Sequence, residues 1–174
     1  MEYLYHRIPK DMRGGILYPL NALKHFHPDI YAEQVQKYKG REKLLDARVP
    51  PLECLWNDVL HLTALPPHIL KKNLLKTGIE IEPRSWFKIP VSLIKGENSI
   101  AFTYRRDKGL LPEFKEYEVF DPARMEVYRT VPEETILYYK QKKAAGERPL
   151  FFHLVPHVLY RGTVNTKDLE IVSL

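Results

Sequence analysis

The chain has 174 residues, a formal net charge of +5, 44% hydrophobic residues and a single cysteine. This length and composition predict one compact domain over residues 1–174 with a sizeable core. One cysteine excludes an internal disulfide and a cysteine-rich zinc site. No segment is long and apolar enough to cross a membrane. The charged start lacks the apolar stretch of a signal peptide, so we expect a cytoplasmic protein.

Charge and cysteine usage give two further expectations. A net positive charge is typical of proteins with polyanionic partners, nucleic acid among them. The lysines and arginines are scattered along the chain, however, as they are on an ordinary basic surface. Cys54 lies among Leu52, Leu55 and Trp56, which favours a buried core thiol over a nucleophile.

Helices come mainly in the first half of the chain. Residues 2–8 are predicted to form a strand, and residues 29–39 a helix that Asp29 caps and Gly40 ends. A short helix is expected at 42–47. Residues 52–63 have the pattern of a buried strand with polar interruptions. A third helix is predicted to begin at Pro66-Pro67 and to end at Gly78.

Strands predominate in the second half. The clearest helix covers residues 132–145, with acidic residues in its first turn and lysines in its last. The predicted strands are residues 86–91, 99–105, 117–120, 150–155, 157–160 and 169–172. Without a regular βαβ alternation, this order predicts an α+β fold.

Familiar catalytic and metal-binding patterns are missing from the sequence. There is no glycine-rich phosphate loop, no GxSxG and no HExxH. His25 and His27 lack the cysteines or carboxylates that would complete a metal site, so no metal is predicted. His153 and His157 flank Pro156, where they either face a cleft or have a structural role.

Two polar stretches interrupt apolar patterns. In residues 55–63, LWNDVLHLT, the side chains of Asn57, Asp58 and His61 need polar partners if they are buried. A polar ligand and the backbone of a loop are equally consistent with this pattern. In residues 102–109, FTYRRDKG, a strand ends in charged residues, as suits an anion contact or a solvated turn.

Several short motifs follow one another along most of the chain. They are Tyr5-His6 with Asp11 and Gly15-Ile16-Leu17 behind it, Lys39-Gly40-Arg41-Glu42, Asn57-Asp58-Val59-Leu60-His61 leading to Pro66-Pro67, and Phe102-Thr103-Tyr104-Arg105. In these motifs the chain resembles the ADP-ribosyltransferase fold, most closely the DarT-like branch that modifies DNA and more distantly the RNA 2′-phosphotransferases. The resemblance implies split sheets, mixed or antiparallel, with helices near the amino terminus.

The resemblance also implies that NAD is the ligand. His6 is then expected to hydrogen-bond the adenosine-side ribose or the nicotinamide amide, with Tyr5 or Tyr3 packing nearby. Arg41, or Arg48 in its place, is expected to orient the diphosphate or the reacting ribose, since the planar guanidinium binds phosphate oxygens directionally. The residues expected on the opposite wall are Asn57, Asp58 and His61.

Transfer chemistry adds the requirement of a carboxylate. Breaking the nicotinamide–ribose bond builds positive charge on the ribose, which a nearby carboxylate stabilises. In the DarT-like branch the catalytic glutamate precedes a proline by several residues, a position near Pro149 when counted back from Pro156. The nearest carboxylate is Glu147. Either Glu147 takes this role after a small shift, or the chain lacks a catalytic carboxylate. Glu170 is a weaker substitute.

Three functions are compatible with these observations. The first is an NAD-dependent ADP-ribosyltransferase that acts on nucleic acid or on a protein, as a toxin or defence element with an antitoxin partner. The second is a non-catalytic module that binds a nucleotide or nucleic acid on the same scaffold. The third is an interaction protein without a nucleotide site.

Overall fold

Short helices and turns surround one large sheet in the computed structural model, which describes residues 1–103, 105 and 116–174. The strands are β1 Tyr3–Arg7, β2 Ile16–Leu17, β3 Arg48–Val49, β4 Cys54–Leu55, β5 Leu60–Thr63, β6 Ser85–Pro90, β7 Ser99–Thr103, β8 Tyr117–Val119, β9 Pro156–Tyr160, β10 Val164–Asn165 and β11 Glu170–Ser173. The helices are α1 Leu23–Phe26, α2 Pro28–Gln34, α3 Pro67–Lys76, α4 Met125–Tyr128 and α5 Glu133–Ala144.

Seven strands form the large sheet in the order β11-β6-β1-β5-β9-β7-β8, and every pair is antiparallel. Two small two-stranded sheets join β2 to β10 and β3 to β4. The α+β prediction is confirmed, with α1 and α2 near the amino terminus as expected. Of the mixed and antiparallel arrangements that were expected, the large sheet adopts the antiparallel one.

Strand alternation divides the core between the two faces of the sheet. Leu4, Leu62, Ile89 and Val158 belong to the largest buried cluster. Neighbouring strand residues point to the other face. A second buried cluster contains Leu159, and a third buried cluster contains side chains of α3 and α5. Full burial of one such side chain contributes about 1.5–3 kcal/mol.

Two helix predictions are confirmed closely. The helix expected from Pro66-Pro67 is α3, and the following Gly78 has a φ of +76°, the left-handed conformation in which glycine commonly ends helices. The helix expected at 132–145 is α5. Its acidic first turn and basic last turn complement the helix dipole.

The strand predicted over residues 52–63 is wrong in its first part. The chain instead forms β4, a 3-10 turn at Trp56–Asp58, and then β5. The Asp58 carboxylate causes the break, because it accepts a hydrogen bond from the backbone N–H of Leu55 at 2.7 Å and another from Asn21 Nδ2 at 2.7 Å. A carboxylate that binds the backbone three residues earlier holds a turn and not a strand.

The strand predicted over residues 150–155 is also wrong, since this segment is a series of turns. Side chains of α5 form hydrogen bonds with the backbone groups of this segment that would otherwise pair with a neighbouring strand. Tyr138 Oη accepts the N–H of Leu150 at 3.0 Å, and Thr135 Oγ1 donates to the carbonyl of His153 at 2.8 Å. Once these groups are satisfied by the helix, a strand has no advantage.

Three helix or strand boundaries differ from expectation. The helix expected at 29–39 is α2, followed by a 3-10 turn at Val35–Tyr38, and Asp29 binds Arg13 instead of capping the helix. The helix expected at 42–47 is a 3-10 turn, Glu42–Leu45. The strand expected at 99–105 ends at Thr103, and most of the stretch 102–109 lies outside the described residues.

Two further sequence expectations concern the single cysteine and membrane-spanning segments. Cys54 is buried, with 5% of its surface exposed, and burial raises the pKa of its thiol, as expected for a core residue. In the part of the chain that the structure describes, no helix has both the length and the apolar character needed to span a membrane.

Candidate functional site

The large sheet divides between its two central strands. β1 pairs with β6 over all five of its residues, but it meets β5 only at the Tyr5–Thr63 pair. Beyond this pair β5 stays with β9 and β1 stays with β6. His6 and His61 therefore lie where the two halves of the sheet separate, and a cleft opens between them.

The cleft has two adjoining cavities. The first has a volume of about 180 Å³ and lies between the end of β1, the segment before α1, and helices α1 and α2. The second has a volume of about 270 Å³ and lies on the side of Arg41 and Trp56. Lys37, Tyr38 and His61 line both cavities.

Unsatisfied polar atoms mark the first cavity. The Nδ1 atom of His6 is buried and has no hydrogen-bond partner among the described residues. Asn57 is 4% exposed; its Oδ1 accepts a hydrogen bond from Tyr38 Oη at 2.7 Å, whereas its Nδ2 is likewise unpaired within the described part of the chain. An unpaired buried donor or acceptor costs about 1–3 kcal/mol, so both atoms are suited to receive a polar ligand.

Aromatic rings and two histidines form the second cavity. The rings of Trp56 and His61 have centroids 4.5 Å apart, and those of Phe152 and His157 are 4.8 Å apart. His61 Nε2 donates to the carbonyl of Trp56 at 3.2 Å, and His157 Nδ1 donates to the carbonyl of Val155 at 3.1 Å. Since a carbonyl only accepts, the second nitrogen of each neutral ring is left as an acceptor.

Burial keeps the imidazoles of His6, His61 and His157 neutral. It lowers the pKa of His6 to about 4, that of His61 to about 3 and that of His157 to about 4. The neighbouring His157 adds to the decrease in the pKa of His61. At neutral pH these rings therefore offer hydrogen-bonding nitrogens without positive charge.

Three cationic side chains line the cleft, and one of them, Arg13, is paired with Asp29. Lys37 lines both cavities, and Arg41 lines the second and donates from Nη2 to the carbonyl of Lys37 at 2.7 Å. Partial burial lowers the pKa of Lys37, and the charge of Arg41 lowers it further. Among the described residues, no aspartate or glutamate lines either cavity. This combination favours anions over cations.

The structure brings some of the predicted site residues together. His6, Asn57 and His61 line the first cavity, and His61 lines the second together with Arg41. The fallback residue Arg48 lies in β3 and lines neither cavity. Lys37 and Arg41 both come from the segment after α2 and line the two adjoining cavities.

Other predicted residues lie elsewhere. Tyr5 pairs with Lys88 and, by strand alternation, points to the face opposite His6. Asp58 lines a separate small hollow with its carboxylate bound to Leu55 and Asn21. Tyr5 and Asp58 therefore do not line the cleft.

The two candidate carboxylates also lie outside the cleft. Glu147 forms an ion pair with Lys142 and lines a different hollow. Glu170 belongs to β11 and forms an ion pair with Lys88 at 2.7 Å. Neither residue lines either of the two cavities.

Several residues of the cleft were not indicated by the sequence, among them Lys37, Tyr38, Trp56 and Phe152. Lys37 and Tyr38 were assigned only to a helix, and Trp56 and Phe152 only to strands. Lys37 had no local signal, because Arg41 lies beyond the turn that ends at Tyr38 and the chain reverses at Gly40 between the two cations. The aromatic wall had no local signal, because it is assembled from three distant parts of the chain.

No family model, curated protein or solved structure matches this chain. Among the described residues there is also no group of three or more histidine, cysteine or acidic side chains that could hold a metal ion. The chemistry of the cleft is therefore the basis for assigning a function.

Proposed function

We propose that the cleft binds a phosphate-bearing nucleotide, with NAD as the ligand. The observation that carries this proposal is the pair of adjoining cavities with Lys37 and Arg41 at their walls and, among the described residues, no lining carboxylate. A cationic wall beside aromatic rings suits a molecule that combines phosphate with flat rings.

The residues of the cleft fit NAD in three respects. Each cavity is smaller than the about 300–1,000 Å³ typical of sites for drug-sized ligands, so a ligand with two bulky ends joined by a diphosphate would use both. Lys37 and Arg41 supply cations for the diphosphate. The unpaired atoms of His6 and Asn57 supply hydrogen bonds to ribose hydroxyls or to a carboxamide.

A double substitution tests this binding function. Replacing Lys37 and Arg41 with glutamine removes both cations, and we expect NAD to bind at least about tenfold more weakly. One hydrogen bond to a charged group contributes about 1.5–3 kcal/mol, and about 1.4 kcal/mol corresponds to a tenfold change in affinity. Isothermal titration calorimetry with NAD, ADP-ribose and adenosine measures the effect and shows which part of the ligand needs the cations.

The matched control removes the same charge from the same segment. Lys39 and Lys43 are exposed and line neither cavity, so K39Q/K43Q should bind NAD as the unchanged protein does. Equal weakening in the two double variants would show that net charge, and not the cleft, determines affinity. The proposal also fails if the unchanged protein binds no nucleotide at millimolar concentration.

ADP-ribosyl transfer to nucleic acid is the second candidate function. It is favoured by the position of His6 and Arg41, which line the two adjoining cavities and are the residues that the family resemblance selects for the ligand. When bound, NAD supplies an activated ribosyl carbon that becomes positively charged as nicotinamide leaves. In this chain His6 and Asn57 would hold the ligand, and Lys37 and Arg41 would neutralise its phosphates. Among the described residues no carboxylate lines the cleft to stabilise the ribosyl charge, so binding is the first candidate function and transfer the second.

The position of Glu147 gives this second function a specific test. Its side chain lines a different hollow, paired with Lys142, so we expect E147Q to transfer label from NAD to DNA or RNA as well as the unchanged protein. R41Q should lose most of the transfer, since Arg41 lines the cleft. Labelled NAD incubated with each variant and with nucleic acid measures both. Loss of transfer in E147Q alone would restore Glu147 to the catalytic role.

A further inference from the structure

Two histidines lie on neighbouring strands at the second cavity. His61 is in β5 and His157 is in β9, where the register pairs Thr63 with His157 and His61 with Leu159. His61 and His157 are therefore diagonal neighbours on one face of the sheet, at a spacing of about 7–8 Å that allows both to contact one small ligand. Both line the second cavity, and we call them the histidine pair.

Aromatic side chains surround the histidine pair. Phe102 lies opposite His157 on β7, the next strand of the sheet. The ring of Trp56 lies 4.5 Å from that of His61 and 5.2 Å from that of Phe102, measured between centroids. The ring of Phe152 lies 4.8 Å from that of His157. Because aromatic rings pack well against other flat rings, the walls of the second cavity suit a planar heterocycle.

The histidine pair gives this cavity two uncharged acceptors. One nitrogen of each ring donates to a backbone carbonyl, His61 Nε2 to that of Trp56 and His157 Nδ1 to that of Val155. Burial lowers the pKa of both imidazoles below neutral pH, so the remaining nitrogens, His61 Nδ1 and His157 Nε2, carry no proton and accept. The fully buried unpaired atoms of the described residues belong to other side chains. The two acceptor nitrogens are therefore accessible from the cavity.

The charges at this cavity restrict the donor that the histidine pair can receive. Lys37 and Arg41 line the same cavity, and among the described residues no carboxylate does. A ligand ammonium group would be repelled by these two cations with no carboxylate to offset them. An amino group on an aromatic ring is uncharged at neutral pH, yet it has two N–H donors. Such a group matches two neutral acceptors.

The two cavities differ in the hydrogen-bonding groups that they offer. Asn57 lines the first cavity and has an unpaired amide donor, which a carboxamide ligand needs for its carbonyl oxygen. The second cavity is larger, about 270 Å³ against about 180 Å³, and has the aromatic walls and the histidine pair. Adenine is the larger of the two rings of NAD and carries its amino group directly on the ring. These differences favour adenine for the second cavity.

We propose that the second cavity is an adenine site, in which the histidine pair accepts hydrogen bonds from the exocyclic amino group and thereby selects adenine over purines with an oxygen at that position. The inference deepens the proposed function, because it specifies which part of the nucleotide occupies which cavity, and it rests on that function for the binding of a nucleotide. Hypoxanthine is the matched alternative, since it has the same size and carries an oxygen in place of the amino group. That oxygen cannot donate to the histidine pair and leaves both acceptors unpaired.

Dinucleotides that differ at one substituent measure this selection on the unchanged protein. Nicotinamide hypoxanthine dinucleotide differs from NAD only in the purine, and nicotinic acid adenine dinucleotide differs from NAD only in the carboxamide. Isothermal titration calorimetry gives the dissociation constant of each. We expect the hypoxanthine dinucleotide to bind at least about tenfold more weakly than NAD, because unpaired buried acceptors reduce affinity by about this factor or more.

Two substitutions remove the acceptor nitrogens and keep the backbone hydrogen bonds. The amide N–H of asparagine in H157N can replace the Nδ1 donor, and that of glutamine in H61Q can replace the Nε2 donor. We expect each variant to reduce the preference for NAD over the hypoxanthine dinucleotide by at least about threefold, and to leave the ratio between NAD and nicotinic acid adenine dinucleotide unchanged. H68N alters an exposed histidine that lines neither cavity, and it should keep the full preference.

The outcomes separate this inference from the proposed function. Each result is a ratio of dissociation constants measured on one preparation, so an unfolded fraction of a variant does not change it. If NAD binds and needs Lys37 and Arg41, but the hypoxanthine dinucleotide binds equally well, the proposed function stands and the adenine site is wrong. If no dinucleotide binds to the unchanged protein, the proposed function itself fails, and the adenine site fails with it.

Two further results would overturn the adenine site alone. If H157N and H61Q change the ratio between NAD and nicotinic acid adenine dinucleotide, and not the ratio between the two purines, the carboxamide occupies the second cavity. If H68N removes the purine preference as fully as H157N does, the preference does not come from the histidine pair.

Discussion

The neutral histidines of the cleft differ from the histidines of an exposed surface in what they offer a ligand. His61 and His157 each use one nitrogen to bind a backbone carbonyl, which fixes the tautomer and leaves the other nitrogen as an acceptor. Ribose hydroxyls and amide N–H groups are donors that match such nitrogens. Lys37 and Arg41 then remain for the phosphates, so the roles of neutral and charged groups are separate.

The buried histidines predict how stability changes with pH. The folded-state pKa of His61 is about 3 and that of His157 about 4, both below the unfolded value of about 6.5. Their contribution to stability is therefore complete above about pH 6.5 and is lost as the pH falls toward 4, because the unfolded chain binds protons first. Each such histidine contributes a slope of up to about 1.4 kcal/mol per pH unit in this interval.

Urea unfolding between pH 7 and pH 4.5 measures this slope. We expect H61Q to reduce the dependence of the free energy of unfolding on pH by up to one proton. The exposed His68 provides the control, and H68Q should retain the slope of the unchanged protein. If H61Q and the unchanged protein lose stability in parallel, the protonation of His61 is not coupled to unfolding.

At the scale of elements, the segment between β4 and β5 determines the position of the cleft residues. The 3-10 turn at Trp56–Asp58 directs Asn57 into the first cavity and Trp56 into the second. Asp58 holds this turn through Leu55 and Asn21 and lies outside the cleft itself. We infer that Asp58 positions the site residues without contacting the ligand.

Substitution of Asp58 tests this positioning role. D58A leaves the N–H of Leu55 and the amide of Asn21 without their partner, and we expect the free energy of unfolding to fall by about 1–3 kcal/mol. Urea denaturation measures the loss. D46A removes an exposed carboxylate, and it should change stability by less than about 0.5 kcal/mol. Similar losses in the two variants would contradict the role of Asp58.

Local patterns predicted the elements whose stabilisation is local. Helices α3 and α5 have proline, glycine and charge signals within their own segments, and both were found near the predicted bounds. Residues 150–155 were misassigned because their partners are Thr135, Tyr138 and Tyr139 on α5, about a dozen residues or more away. An apolar run does not reveal whether a sheet or a helix will bind its backbone.

The same distinction applies to the candidate site. His6, Arg41, Asn57 and His61 were selected from short motifs, and the structure places all four around the two cavities. Tyr5 was selected with His6 because the two are adjacent, yet adjacent residues in a strand point to opposite faces. Their contact with NAD and the catalytic role of Glu147 stay predictions.

For the whole molecule, the Tyr5–Thr63 pair is the joint between two half-sheets. On one side β11, β6 and β1 pair continuously, and on the other β5, β9, β7 and β8 do so. Among the described residues β1 and β5 pair at this one point, so a ligand that contacts both His6 and His61 would act as a brace between the two halves.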